Sequence, residues 1–393
     1  MYLDLYRLSY FLGENLLAER ANKNMAIIKE SKNDVSNSPE DNLLKMGFDD
    51  VTISEIIEYQ FTKNIVLVDR LKAKVAPWIQ NIILPDFFDL TTLKQIFIVY
   101  NITQKKELID FLNTPIAEHQ FLKENTSLLR HFVEYSSYDL FPYKYCKSYE
   151  NLGEILLNYK GEPILGNFHN HTKYSDGKCS IADIVSFAKS CNREYVGISD
   201  HSQMVGGISS TDVVLQHKEI DMMNDLSIKI LKSIECEICK NGDLDLPNDV
   251  LDKMDYIIAA VHSFPIMKKN EAENRLVKAI ENPRTNILAH PSSRILHKRV
   301  ELYVDMYKII DACIANNVAI EINGDPCRLD LDPKYIDYAL NRGAYFTLDS
   351  DTHSLSGFMN INNAIEIAQD VDIPNDRILN TFEWKTVQCV LSK

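Results

Sequence analysis

Beyond residue 160 the chain alternates short apolar runs with longer amphipathic segments, and that alternation sets the expected architecture. The runs at 164–168, 195–199, 228–234, 256–261, 286–289 and 345–348 are apolar and of strand length. Between them, 180–190, 211–223, 270–280, 304–316, 333–341 and 362–369 read as helices, with Ser180 placed to cap the first of them. Strands alternating with helices of this length predict βαβ units around a parallel sheet. In barrels of that kind the C-terminal strand ends converge on one face, where chemistry is placed.

Residues 1–150 follow a different pattern. Apolar positions recur at helix-like spacing over 2–19, 51–73 and 93–112, and the Ser/Asn/Asp-rich stretch 33–42 reads as a loop. The expectation is a mostly helical domain over 1–150 and an α/β domain over 161–393. No apolar run approaches the ~20 residues that span a bilayer. The start, Met1-Tyr2-Leu3-Asp4, lacks the layout of a secretory leader, so a cytoplasmic location is expected. Eight cysteines are scattered without pairing rhythm. Cys236 and Cys239 form a CxxC, but no second pair completes a zinc site, and reduced thiols are the expected state.

The histidines change the picture. Six of the ten in the chain stand at the ends of apolar runs. His169 and His171 follow 164–168, His201 follows 195–199, His262 follows 256–261, His290 follows 286–289, and His353 lies just past 345–348. A seventh acceptor, Glu235, ends the run 228–234. On a strand, residues i and i+2 face the same way, so His169 and His171 can offer both imidazoles to one ion. Ligands far apart in sequence would be close in space on the shared face of a barrel.

His169-Asn170-His171, Ser175-Asp176-Gly177, Ser199-Asp200-His201, Ile234-Glu235, Val261-His262-Ser263, Ala289-His290-Pro291 and Ser350-Asp351-Thr352-His353 resemble the ordered motifs of the PHP (polymerase and histidinol phosphatase) domain. More narrowly they resemble the C-terminal PHP domain of bacterial family-X DNA polymerases, a branch that 243–247 and the stretches 321–323 and 328–330 also fit. The resemblance implies a distorted (β/α)7 barrel, a trinuclear metal centre and phosphoester hydrolysis. It implies nine ligands: His169, His171, Asp176, His201, Glu235, His262, His290, Asp351 and His353, with Glu235 bridging. Asp176 stands where some members have histidine. Ser292-Ser293 stands where members often have Thr-Gly.

Six imidazoles and three carboxylates suit divalent ions of the Mn²⁺, Zn²⁺ or Fe²⁺ type rather than Ca²⁺ or Mg²⁺, and the resemblance implies three of them. Such ions would supply a metal-activated hydroxide for attack at phosphorus. Asp200 is expected to orient a neighbouring imidazole, and Asp349 and Glu237 to be structural. Arg294 and Arg328 are candidate phosphate donors, since a planar fork binds phosphate bidentately; Lys173 and His297 are weaker ones.

In the N-terminal part, 84–96 and 102–112 faintly resemble one helix-hairpin-helix unit, and 138–143 the lead-in to the PHP domain. Only Gly13 and Gly47 occur there, the hairpin glycines are missing, and no nucleotidyltransferase carboxylate pair is found. A degenerate remnant without polymerase activity is expected. The formal net charge is −14, with about −4 in 1–150 and about −10 beyond. Proteins that grip long nucleic acids usually carry a basic footprint. The expected substrate is a phosphoester, with single-stranded DNA 3′ ends favoured by the branch resemblance and a small phosphomonoester by the charge. A non-catalytic metal-binding module is the third reading.

Overall fold

The computed structural model describes residues 2–112 except 13, 31–37, 63–64, 77–78, 80–89, 100–101 and 103, and residues 156–392 except 224–227, 296–298 and 300. The chain divides into two compact units, Met1–Ser137 and Tyr138–Lys393.

The described part of the first unit is helical: α1 (Tyr2–Leu12), α2 (Asn15–Glu30), α3 (Glu40–Lys45), α4 (Asp50–Thr62), α5 (Val66–Lys72), α6 (Leu90–Val99) and α7 (Lys105–Leu112). Each of the three long helices expected from the pattern is two shorter ones. The first expected span contains Gly13 and the second Asn64, residues of lower helix propensity. The expected loop at 33–42 is helical from Glu40 onward, and its earlier part, 33–37, lies outside the described residues, as do 84–89 and 138–143. Leu5, Leu8, Ala21, Leu43 and Ile56 form part of a buried apolar core, and the Arg20–Glu55 ion pair, at 2.5 Å, ties α2 to α4.

The second unit opens with an antiparallel hairpin, β1 (Asn158–Tyr159) with β2 (Glu162–Pro163). Seven parallel strands follow in simple sequential order: β3 (Gly166–Asn167), β4 (Tyr195–Ile198), β5 (Lys229–Glu237), β6 (Tyr256–Ala260), β7 (Ile287–Leu288), β8 (Ala319–Asn323) and β9 (Phe346–Asp349). Between and after them run α8 (Ile181–Ser190), α9 (Ser210–Met223), α10 (Asn248–Leu251), α11 (Lys269–Glu281), α12 (Met306–Ala315), α13 (Pro333–Asn341), α14 (Ile361–Asp370) and α15 (Trp384–Leu391). The expected helices fall within two residues of these bounds. Ser180 caps α8 as expected, in a reciprocal box with Asp183. Of the barrel strands the pattern missed only β8, which is broken by two polar residues, Glu321 and Asn323; the β1–β2 hairpin was also not expected.

Along β6, Tyr256, Ile258 and Ala260 enter the barrel interior while Ile257 and Ala259 pack with the helical layer. Trp384, Val387 and Leu391 of α15 join the interior cluster.

The sheet closes through a seam between β3 and β9. One parallel bridge, Asn170 to Thr352, links the two strand ends at the upper rim, where the His171 amide donates to the Thr352 carbonyl at 2.8 Å. Lower down, the buried Asn380 side chain spans the gap. It donates to the carbonyls of Gly166 (3.0 Å) and Leu348 (2.9 Å) and accepts from the Leu348 amide (2.7 Å). The fold is the nearly closed, seven-stranded βα barrel expected from sequence.

Candidate metal centre

The strand ends bring all nine expected residues into one cluster. Glu235, within β5 and bridged to His201, sits at its centre. Its Oε2 lies 3.4 Å from His169 Nε2, 3.5 Å from His171 Nε2 and 2.7 Å from His201 Nδ1. Its Oε1 lies 2.8 Å from His290 Nε2 and 3.3 Å from His262 Nε2. Asp351 Oδ1 reaches His171 Nε2 at 3.1 Å and His169 Nε2 at 3.5 Å. Asp176 Oδ2 reaches His353 Nε2 at 3.3 Å and His201 Nε2 at 3.6 Å. Three groups have donor atoms within 4.8 Å of one another: His171, Asp176, His201 and His353; His169, His171 and Asp351; His201, Glu235 and His262.

Burial grades across the cluster. The side chains of His169, His171 and Glu235 are at most 1% exposed, whereas Asp176 is 57% and His353 34% exposed. The Asp176–His353 edge is therefore the open side. His169 Nε2, His171 Nδ1, His201 Nδ1, His262 Nε2 and Glu235 Oε2 are buried and, close as some of them lie to one another, none makes a well-aligned hydrogen bond. Native proteins rarely leave such atoms unsatisfied.

Charge coupling inside the cluster is strong. Burial alone would raise Glu235, but the surrounding imidazoles of His262, His201 and His169 hold it well below the usual carboxylate range. Burial also opposes protonation of His169, yet Asp351, Glu235 and Glu321 hold its pKa well above the ordinary value. His262 is likewise pushed up to about 9 against burial, by Glu235 and Glu237. His171, buried among His201 and His353, falls to about 3.

The imidazoles are aimed by acceptors on neighbouring strands. Glu321 of β8 takes His169 Nδ1 at 2.6 Å and the His290 amide at 2.6 Å. Glu237 of β5 takes His262 Nδ1 at 2.9 Å, and the Asp351 carbonyl takes His353 Nδ1 at 2.8 Å. Such contacts fix tautomer and ring direction. Glu321 went unassigned in the sequence because its strand did; Glu237, expected to be structural, holds a cluster histidine. Asp349, in keeping with its expected role, accepts the amides of Phe168 and His169.

Asp200 departs from expectation. Its oxygens accept Thr172 N and Oγ1 (2.7 and 2.6 Å), Ser175 N and Oγ (3.2 and 2.6 Å) and Gln216 Nε2 (2.6 Å). It touches no imidazole in these contacts and pins the loop that carries Asp176. That loop turns so tightly at Gly177 that a Cβ there would lie 2.4 Å from the His171 carbonyl oxygen.

Arg328 is at the cluster, with Nε 3.0 Å from Asp351 Oδ2 and Nη1 buried without a hydrogen-bond partner. Arg294 is turned away from the nine residues, onto the loop after β8. Lys173 is exposed, and His297 lies outside the described residues. Cys236 donates to Asp245 Oδ1 at 3.1 Å and belongs to none of the three groups. His290 and Asp351 both adopt left-handed backbone, φ 28° and 49°, conformations that non-glycine residues hold mainly where surrounding contacts enforce them.

Residues 167–325 match the PHP domain family. The chain carries a PHP domain. Among relatives, it is 30% identical over 235 residues to the DNA polymerase/3′-5′ exonuclease PolX of Bacillus subtilis, a match covering 58% of this chain and 41% of that protein. This chain thus spans well under half of that relative. It is 28% identical over 230 residues to a probable phosphatase of Shewanella loihica, covering 55% of this chain and 89% of the relative. A solved structure of histidinol phosphate phosphatase from Lactococcus lactis, complexed with zinc, L-histidinol and phosphate, aligns at 16% identity with a TM-score of 0.42, over 54% of this chain and 95% of that one. Among the described residues no helix is long and apolar enough to cross a membrane.

Proposed function

We propose that this protein is a metal-dependent phosphoesterase whose PHP domain holds three divalent cations of the Mn²⁺, Zn²⁺ or Fe²⁺ class. The observation that carries the reading is the convergence of nine His, Asp and Glu side chains on one barrel face, with buried nitrogens and a carboxylate oxygen that lack partners. The three overlapping groups would hold the ions, with His290 completing the set around Glu235. Bound cations of this kind polarise phosphoryl oxygens and acidify water toward a pKa of ~7.

The protein's own part is positional and electrostatic. Glu235, held anionic among five imidazoles, would be a shared carboxylate ligand of the ions. Glu321, Glu237 and the Asp351 carbonyl keep the rings of His169, His262 and His353 aimed inward. Arg328 Nη1 is the protein donor for a non-bridging phosphate oxygen. Ester enters over the exposed Asp176–His353 edge.

For substrate, the 30% relative whose name includes a 3′-5′ exonuclease supports single-stranded DNA 3′ ends. A small phosphomonoester is the second reading, favoured by the net charge of −14 and by relatives described as probable phosphatases. The test gives Mn²⁺-loaded protein a 5′-labelled single-stranded oligonucleotide and, in parallel, a panel of phosphomonoesters, with His169→Ala as control. A ladder of shortened oligonucleotides from the wild type alone is the expected outcome. Phosphate release with an intact oligonucleotide moves the assignment to the second reading, and silence in both assays, with metal bound, refutes hydrolysis.

A further inference from the structure

Arg294 follows His290 by four residues, yet its guanidinium is engaged on the loop that carries Arg328. Nε donates to the Arg328 carbonyl at 2.9 Å, Nη2 to the Leu329 carbonyl, and Nη1 to Asp332 Oδ2 at 3.2 Å. Just before it, Ser292 donates through its amide (2.9 Å) and hydroxyl (2.7 Å) to Asp330 Oδ2. The segment after His290 thus grips residues 328, 329, 330 and 332 at once. Within that grip Leu329 takes a left-handed backbone, φ 45°, which a leucine holds only when its surroundings enforce it. Arg328 leaves the grip with Nε on Asp351 and one buried, unpartnered nitrogen, Nη1.

We propose that Arg294 is a positioning residue. By fixing the main chain at Arg328 and Leu329 and the head of the next helix at Asp332, it sets the Arg328 guanidinium across Asp351. Nη1 is thereby left as the donor that receives a phosphate oxygen. This rests on the phosphoesterase reading above. Two backbone carbonyls and a carboxylate lie in different directions around one group, and only a planar fork meets all three; an ammonium supplies the charge without the reach. Arg294 then acts on substrate solely through Arg328, so the two arginines form one functional unit.

The test is a double-mutant cycle on Mn²⁺-loaded protein: wild type, Arg328→Met, Arg294→Met, Arg294→Lys and the Arg294→Met/Arg328→Met pair. Read for each are kcat and KM on whichever substrate the wild type hydrolyses, the oligonucleotide or a phosphomonoester, the Kd of inorganic phosphate by calorimetry, and the thermal midpoint with metal content. Arg328→Met is expected to lose roughly 100-fold in kcat/KM, the order for removing one donor from a developing charge. Arg294→Met is expected to lose at least about 10-fold and to weaken phosphate binding in parallel, with no further loss when added to Arg328→Met. Arg294→Lys should stay near the Met variant. Losses that multiply in the pair overturn the proposal, because Arg294 would then act on its own, and full rescue by lysine overturns it because charge alone would suffice. Should Arg294→Met fail to fold or bind metal, Arg294→Lys, alone and combined with Arg328→Met, closes the same cycle. A wild type that turns over no ester refutes the functional reading, while the phosphate-binding arm still decides the coupling. Absence of phosphate binding in the wild type overturns the positioning role as well.

Discussion

His169 shows how much one side chain carries. It has no exposed surface, donates one nitrogen's hydrogen to Glu321, and turns the other nitrogen toward Glu235 and Asp351. His169→Ala or Asp351→Ala should reduce kcat by about 10³-fold or more, with far-ultraviolet circular dichroism unchanged; near-normal turnover would sink the site assignment. Glu301 offers a pH test away from the cluster. Burial lifts its carboxyl to about 7, against the pull of Lys334 and Arg294 and with a push from Asp332 and Asp330. A folded pKa above the unfolded value means that its contribution to stability is complete below about 4.5 and is lost as pH rises through about 7. The stability of wild type relative to Glu301→Gln should therefore fall between those pH values in paired denaturant titrations. At this scale the histidines were legible because their types and strand-end positions are rare together. The partners of Asp200 and Arg294 were not, since a hydrogen bond reaching from residue 200 to 172, or from 294 to 328, leaves no local spacing to read.

The elements set those residues in place, and the loops after the strands do more than connect. The turn at 172–177 is held by Asp200 and by the absence of a Cβ at Gly177. Asp200→Asn should leave the barrel folded but lower metal occupancy, with affinity at the Asp176 group falling about 10–100-fold, the usual effect of losing a supporting partner. Competition with a chelating dye measures it, and unchanged affinity would remove Asp200 from the site. The seam between β3 and β9 depends on Asn380, whose loss strands the Gly166 and Leu348 main-chain groups. Asn380→Ala should cost about 3 kcal/mol, seen as a lower denaturant midpoint. Helices α8 and α11 to α14 were legible in the sequence because their amphipathic period is regular. Strand β8 was not, because its Glu321 and Asn323 face the polar site and break the apolar run, and the breaks between α1 and α2 and between α4 and α5 were not because helical period continues across them.

At the scale of the whole molecule, the acidic balance and the metal site belong together. Glu235, Asp351 and Asp176 face one another's imidazoles across a space where unpaired atoms remain. Ions that bind only the folded state stabilise it by mass action, about 2.7 kcal/mol for one ion at 100-fold excess over its Kd, or roughly 5–10 °C in midpoint for a domain of this size. Chelation should lower the thermal midpoint of the intact protein by at least that amount, and Mn²⁺ should restore it; a midpoint indifferent to chelator would argue against resident cations. The division between a helical part and a βα part was visible in the change of apolar period.

The seam has a consequence during synthesis. His169 and His171 lie just beyond the first barrel strand to be made, and Asp351 and His353 beyond the last, with Asn380 later still. A nascent chain emerging in order therefore displays a partial set of donors through most of translation. The complete set arises only when the final strand zips against the first, so ion capture follows closure of the barrel, and a prematurely terminated chain forms no full centre.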